Sequence, residues 1–532
     1  MKLWRRAAAL LLTLCMAVPL LAGCGETSTD EAKLSVVMTG GVAEVDPAYA
    51  TSAAQRTVVL HLFDCLYRWT AEGASPAAAQ SYEVTDNEDG TQTYTFRLRS
   101  DGKWSDGSDV TAEDFVYAWR RLVSPETDSP NAEILSMVAG YEDAHAGDTE
   151  ALAVTAEDKH TLVVTLESGC PYFVEAVCTA AATAPVQQKA VEAHQNWAAS
   201  RATFVGNGPY RRTGDWSDDR FATLVKQTEH HNARRTLPDR IEMQFKSVSE
   251  AAKDAGSVDV VVGAAGENGL SGGDPAMGLL VINQMATNMD HTALRQAMSM
   301  VIDRTALAAA LGTEYAAADG LVPRGIRTAE GGEFREVNGA VIDNDPETYE
   351  ERCAQAAALL REAGMNRPEA MASLGTVTLL YRNTPQQAVL AQRLQRTWQE
   401  KLGLTVTLQG EDPETYQQML SGGEFTLALT ELDALYNDAA AYLDPWRSGD
   451  ARNYALMYMN AYDILMRVAA ASTSAEARDA YLKDAEWLLL DTANVIPLYG
   501  KQQAYEIRPE ITGAVCDGMG AWYFGAARRV SK

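Results

Sequence analysis

Residues 377–430 read VTLLYRNTPQQAVLAQRLQRTWQEKLGLTVTLQGEDPETYQQMLSGGEFTLALT, and their rhythm decides the fold class. Val377–Tyr381 is a short apolar run with the length of a strand. Pro385 to Leu402 reads as a helix, with proline in its first turn and Gly403 as its stop. Leu404–Leu408 is a second strand, and Pro413 to Leu420 a short helix stopped by Gly422. Phe425–Thr430 is a third strand. Strand–helix–strand–helix–strand with short loops predicts parallel strands joined by right-handed crossovers, so the fold class is α/β. Ligands of such sheets sit beyond the carboxyl ends of the strands. Here those ends are Arg382–Thr384, Gln409–Glu411 and Glu431–Asn437.

Two helices upstream extend the same lobe. Thr292 caps one that runs past Met298 and Ile302 to Leu311, with Gly312 as its stop, and Pro346 opens another that ends at Gly364. Further back the pattern becomes α+β. Thr91 to Arg99 alternates, with Tyr94, Phe96 and Leu98 on one face, as does Thr161 to Leu166. Asp101-Gly102 and Asp106-Gly107 are turn signals. Thr111 caps a helix whose first turn holds Glu113 and Asp114 at the positive end of the dipole. Phe115, Trp119 and Leu122 share one of its faces. Trp104, Phe115, Tyr117 and Trp119 are read as mostly core.

The N-terminus has the layout of a secretory signal. Lys2, Arg5 and Arg6 precede an uncharged run from Ala7 to Ala22, too short to span a bilayer comfortably. Leu21-Ala22-Gly23-Cys24 resembles the bacterial lipobox, in which the cysteine thiol takes the lipid. Residues 1–23 are therefore read as a lipoprotein signal, Cys24 as the lipid attachment, and 24–32 as a tether. The rest of the 532-residue chain is too long for one core. The formal charge of −27 disfavours a phosphate backbone as partner, so no nucleic acid is expected. Beyond Cys15 and Cys24 five cysteines remain, Cys65, Cys170, Cys178, Cys353 and Cys516. An odd number without paired CxxC spacing is neither a disulfide framework nor a zinc site; Cys170 and Cys178 are read as buried thiols, with a bridge between them left open.

Enzyme readings are weak. Gly269-Leu270-Ser271-Gly272-Gly273 matches G-x-S-x-G, but a nucleophile elbow needs a strand before it and a helix after it. Gly263–Gly273 is read instead as a trimmed surface connection. The seven histidines, His61, His145, His160, His194, His230, His231 and His291, form no HExxH or other tight ligand spacing. Adjacent His230 and His231 point apart unless the backbone turns sharply. No metal, cofactor or catalytic residue is expected.

Several blocks, in order, resemble the extracellular solute-binding proteins of peptide-type ABC transporters, solute-binding family 5. They are Asp46-Pro47, Leu62-Phe63-Asp64-Cys65-Leu66, Tyr94–Arg99, Lys103-Trp104-Ser105-Asp106-Gly107 and Val110–Trp119. Asn207-Gly208-Pro209-Tyr210, Arg295-Gln296-Ala297 with Ile302-Asp303-Arg304, and Ile496-Pro497-Leu498-Tyr499 continue the series. The resemblance implies a periplasmic-binding-protein-like receptor of the three-domain peptide-binding type, with two lobes and a hinge. Domain I would comprise 33–70, 184–281 and 488–532, domain II would be the insert 71–183, and domain III would be 282–487. It implies a peptide held by its main chain between the lobes, an ABC permease and ATPase complex as partner, and a monomer, which the lipobox would anchor by lipid to the cell membrane on its extracellular face or periplasmic side. Receptors of the same fold for nickel, haem or another small solute, and a peptide-sensing surface lipoprotein, are the alternatives.

The resemblance also implies site residues. In oligopeptide-binding members an acidic residue before a Tyr-Asn pair holds the ligand amine. Here the pair is Tyr436-Asn437 and the residue before it is Leu435, while the family's Gly-Trp appears as Glu431-Leu432. In an extended segment Glu431, Asp433 and Leu435 share a face. Asp433 or Glu431 is then the candidate anion, and solvated loop carboxylates are the bland alternative. Thr51, Asn131 and Tyr499 complete the candidate ligand-binding set.

Overall fold

The computed structural model describes residues 32–530, apart from 215, 267–268, 329–330 and 473. The expected signal 1–23, the lipid-attachment residue Cys24 and the tether up to residue 31 lie outside the described residues. No described helix is long and apolar enough to cross a membrane.

The fold is mixed α/β. The strands Val377–Arg382, Val406–Glu411 and Leu427–Asp433 form where the sequence places them, joined by helices Pro385–Leu402 and Pro413–Ser421. Thr384 and Asp412 cap those helices, and Gly403 closes the first with positive φ. The three strands are parallel, with Val377–Arg382 in the middle. Leu280, Ile282, Leu379, Leu394, Trp398 and Leu427 pack one apolar core around them. Each large apolar side chain buried in this way contributes about 1.5–3 kcal/mol.

That parallel set is one end of an eleven-stranded sheet. Two thirteen-residue strands, Leu270–Ile282 and Val495–Ile507, run antiparallel through its middle. At one end Ala276–Ile282 pairs with Leu427–Asp433, and at the other Tyr505–Ile507 pairs with Val260–Val262. Beyond it lie Lys33–Thr39, Arg240–Lys246, Phe221–Lys226 and Tyr210–Thr213. The pairing of the two long strands slips between Gly273 and Met277 and again between Gly278 and Leu279. Such bulges bend and twist a sheet locally.

A separate antiparallel sheet, in the order Ala79–Asp86, Gln92–Leu98, Thr161–Leu166, Val154–Asp158, lies within 71–183. The helix Ala112–Val123 packs on it. Asp114 accepts from the Thr111 amide at 2.7 Å, closing the expected cap. Phe115, Trp119 and Leu122 are fully buried, as the spacing predicts. A second apolar core joins this region to Val36, Phe63 and Ile241.

Two readings need correction. Leu270–Gly273 is no surface connection; it begins a long strand, and Ser271 lies in register with Ala504. A serine inside a continuing strand is not at an elbow. The single helix expected from Thr292 to Leu311 is two, Thr292–Met300 and Arg304–Leu311. Asp303 starts the second by accepting from the Ala306 amide at 2.9 Å, so this side chain caps a new helix and does not ride within one. Cys65, Cys170 and Cys178 are buried free thiols, and Cys353 and Cys516 are free and partly buried. The junction expected between 487 and 488 falls inside the helix Ala475–Thr492.

A cleft cavity built by Leu435–Asp438 and the C-terminal segment

When the strand Leu427–Asp433 ends its ladder at Asp433, the chain leaves the sheet and enters the wall of a cavity. Four stretches face it there: Ala434–Asp438, Asn131 with Ile134, the segment 171–182, and Asp517 with Met519. Ala50, Arg56, Trp69, Arg327 and Thr328 complete the lining. The cavity is partly open to the surface and has a volume of about 60 Å³, room for a few waters. A larger solute enters only if the walls separate.

The walls meet through aromatic and ionic contacts. The Tyr436 ring stacks on Tyr172, centroids 5.3 Å apart and planes 11° from parallel. The Arg478 guanidinium sits 4.5 Å from the Tyr172 ring centre. It also grips Asp438 with two hydrogen bonds of 3.0 and 2.6 Å, both side chains nearly solvent-free. A paired, hydrogen-bonded charge is the form in which burial is tolerated. Arg327 lies 4.4 Å from the Trp69 ring centre, and Arg452 pairs with Glu133 at 2.9 Å.

Of the residues singled out from sequence, Asn131, Leu435, Tyr436 and Asn437 line this cavity. Thr51, Glu431, Asp433 and Tyr499 do not. Asn131 donates to the carbonyls of Ala48 and Ala50 at 3.1 and 3.4 Å. Asn437 accepts from the Arg327 amide and donates to the Asp517 carbonyl, both at 2.9 Å. These two amides brace the walls. Glu431 accepts from the Tyr499 hydroxyl at 2.9 Å and pairs with Lys501 at 3.1 Å. Burial and that carboxylate hold the Tyr499 phenol far above its ordinary range. Asp433 is exposed on the same strand, and Thr51 is exposed before the helix Ala53–Leu62. Trp104, Phe115, Tyr117 and Trp119 lie outside the lining.

The sequence reading missed Arg56, Tyr172, Arg478 and Asp517. Asp517 accepts from the amides of Met519 and Ala521 at 2.7 and 3.0 Å, both on Oδ1. Burial raises its pKa, and Arg56 opposes the shift. Arg56 donates to the carbonyls of Thr51 and Met519. Asp517-Gly518 carries a turn signal, which by itself marks no wall of a cavity.

A second polar cluster corrects the expectation for His230 and His231. The turn between them brings both rings, 4.1 Å apart, to one carboxylate. His231 Nε2 lies 2.7 Å and His230 Nε2 3.1 Å from Asp64 Oδ2, and Arg68 pairs with the other oxygen. The three ligand-type atoms are close enough for one cation. However, the Asn232 amide donates to His230 Nδ1 at 3.1 Å. That acceptor role leaves the proton of a neutral ring on Nε2, turned toward Asp64 and not available to a metal. Arg68 and the histidine pair hold the Asp64 carboxyl well below its ordinary range. The cluster reads as an ion network under the Leu62–Leu66 block.

Comparisons with known proteins agree with this architecture. Residues 73–454 match the model of the bacterial extracellular solute-binding proteins, family 5 Middle. The dipeptide-binding protein DppE of Bacillus subtilis is 27% identical over 463 residues, covering 84% of this chain and 82% of its own. The probable deoxycholate-binding periplasmic protein YgiS of Escherichia coli is 28% identical over 487 residues, covering 88% of each chain. A solved unliganded open form of MppA, a periplasmic murein tripeptide binding protein, superposes with a TM-score of 0.76 at 25% identity, covering 95% of this chain and 98% of that one. With the α/β architecture and a cleft cavity in place, the family match over most of the chain leads to one conclusion: this protein belongs to the bacterial extracellular solute-binding proteins, family 5.

Proposed function

We propose that this chain is the substrate-binding lipoprotein of an ABC importer, which takes peptides into the cleft cavity and hands them to a permease and ATPase complex. The observation that carries the reading is the cavity itself, whose walls come from distant parts of a family 5 chain and meet through Tyr172, Tyr436 and Arg478. Relatives named for dipeptides and a murein tripeptide supply the solute class.

The solute parts the walls as the lobes open. Domain I with the insert 71–183 and domain III are the moving units, and their C-terminal junction falls at the end of the helix Ala475–Thr492 and not within it. The slipped pairing between Leu270–Ile282 and Val495–Ile507 is their hinge. Closure follows from contacts that the solute makes to both lobes, because a ligand shifts an equilibrium only by its differential affinity. Main-chain hydrogen bonds give peptides affinity while side chains occupy roomy pockets. Cys24 carries the lipid that keeps the receptor, a monomer, at the outer face of the membrane.

YgiS supports a second reading, an apolar carboxylate as solute. Thermal unfolding of the protein from Glu31 onward, with di- to pentapeptides, deoxycholate, nickel and haem added separately, discriminates them. Peptide at a hundred times its dissociation constant should stabilise the fold by about 2.7 kcal/mol. A shift with deoxycholate alone would transfer the site to that solute. No shift with any of them would remove the receptor reading.

A further inference from the structure

The cleft holds a carboxylate with one oxygen to spare. Asp517 lines the cavity, and the two hydrogen bonds it accepts, from the Met519 and Ala521 amides, end on Oδ1. Among the described residues none donates a hydrogen bond to Oδ2, and no basic side chain forms an ion pair with Asp517. Arg56, the cation that acts on it, spends its hydrogen bonds on the carbonyls of Thr51 and Met519. Asn437 fixes the Asp517 carbonyl at 2.9 Å, so the residue is held from both its side chain and its main chain. The cavity is also lined by Leu435 and by Tyr172 and Tyr436, whose rings stack on each other.

We infer that Asp517 is the residue that holds a positively charged amine of the solute. A partly buried carboxylate stays charged at a low cost only when a cation completes it, and a primary ammonium brings three donors in a small volume. The amine is thus met by the C-terminal segment: Asp433 and Glu431 lie outside the lining, Asp438 is taken up by Arg478, and Glu175, which also lines the cavity, is exposed to solvent. This assignment rests on the reading that the cavity receives peptides, and it narrows the solute to peptides with a free amine.

The test is calorimetric titration with an equimolar library of di- to pentapeptides and with the same library N-acetylated. Wild type, Asp517→Asn and Asp433→Asn are compared. Asparagine keeps the Oδ1 acceptor for the two amides; if that variant does not fold, Asp517→Ser replaces it. Asp517→Asn should weaken binding of the free-amine library by about ten- to a hundredfold, the range for a hydrogen bond to a buried charge. It should leave the weaker binding of the acetylated library unchanged, and Asp433→Asn should behave as wild type. Equal binding of the free-amine library by wild type and Asp517→Asn would overturn the assignment, as would an equal loss for both libraries. Binding of neither library by wild type would overturn the peptide reading, and the assignment with it.

Discussion

Arg478 carries its charge into the interior beside the cavity, and its surroundings show why that is tolerated. Asp438 takes two hydrogen bonds from it, and Tyr172 offers a ring face. Removing one partner strands the other charge, and such a loss costs about 3–5 kcal/mol. Arg478→Met should therefore destabilise the fold by that amount in urea unfolding. Asp438→Asn with Arg478→Met should cost less than the sum of the two single changes, because they share one interaction. Additive costs would show that the pair does not act as a unit. At this scale little is legible in the sequence. Tyr172, Arg478 and Asp517 carry no local motif, and only the tertiary fold brings them together. Adjacency alone predicts that His230 and His231 point apart, whereas a turn gathers both on Asp64. Among the carboxylates, period-two alternation puts both Glu431 and Asp433 on the face of Leu435. The strand indeed extends to Asp433, but the cavity wall begins at the next residue.

Among the elements, 377–433 is readable because each local signal agrees with the fold: proline and capping residues at helix starts, glycine at their ends, and short apolar runs between. The helix Ala112–Val123 is readable for the same reason. Leu270–Ile282 is not. Leu-Ser-Gly-Gly has little strand propensity, and it is extended because Gln502–Tyr505 pairs with it. The glycines there have a steric role as well. A Cβ on Gly278 would come within 2.1 Å of the Tyr499 ring, which lies over it and reaches Glu431. Gly278→Ala must push that ring aside, an overpacking that typically costs about 1–3 kcal/mol. The expected result is a lower urea midpoint, with the loss reduced when Tyr499→Ala is also present. An unchanged midpoint for Gly278→Ala would show that the ring has room to move.

For the molecule as a whole, fold class and family are legible because ordered blocks run along nearly the whole chain, and the family match spans 73–454. The cavity is only partly legible. One of the three strand ends predicted from topology, Glu431–Asn437, leads into it, and the other two do not. The remaining wall comes from segments tens to hundreds of residues away, and no periodicity encodes that. The central claim is that peptides occupy the space beside Leu435, and filling that space tests it most directly. Leu435→Trp places an indole in a cavity of about 60 Å³ and keeps the side chains of Arg478, Asp438 and Asp517 unchanged. Titration of the di- to pentapeptide library into wild type and this variant should show saturable binding by wild type. The variant should lose at least about tenfold in affinity, roughly 1.4 kcal/mol, while its melting temperature stays near that of wild type. Equal binding by the two proteins would place the peptide elsewhere and contradict the account.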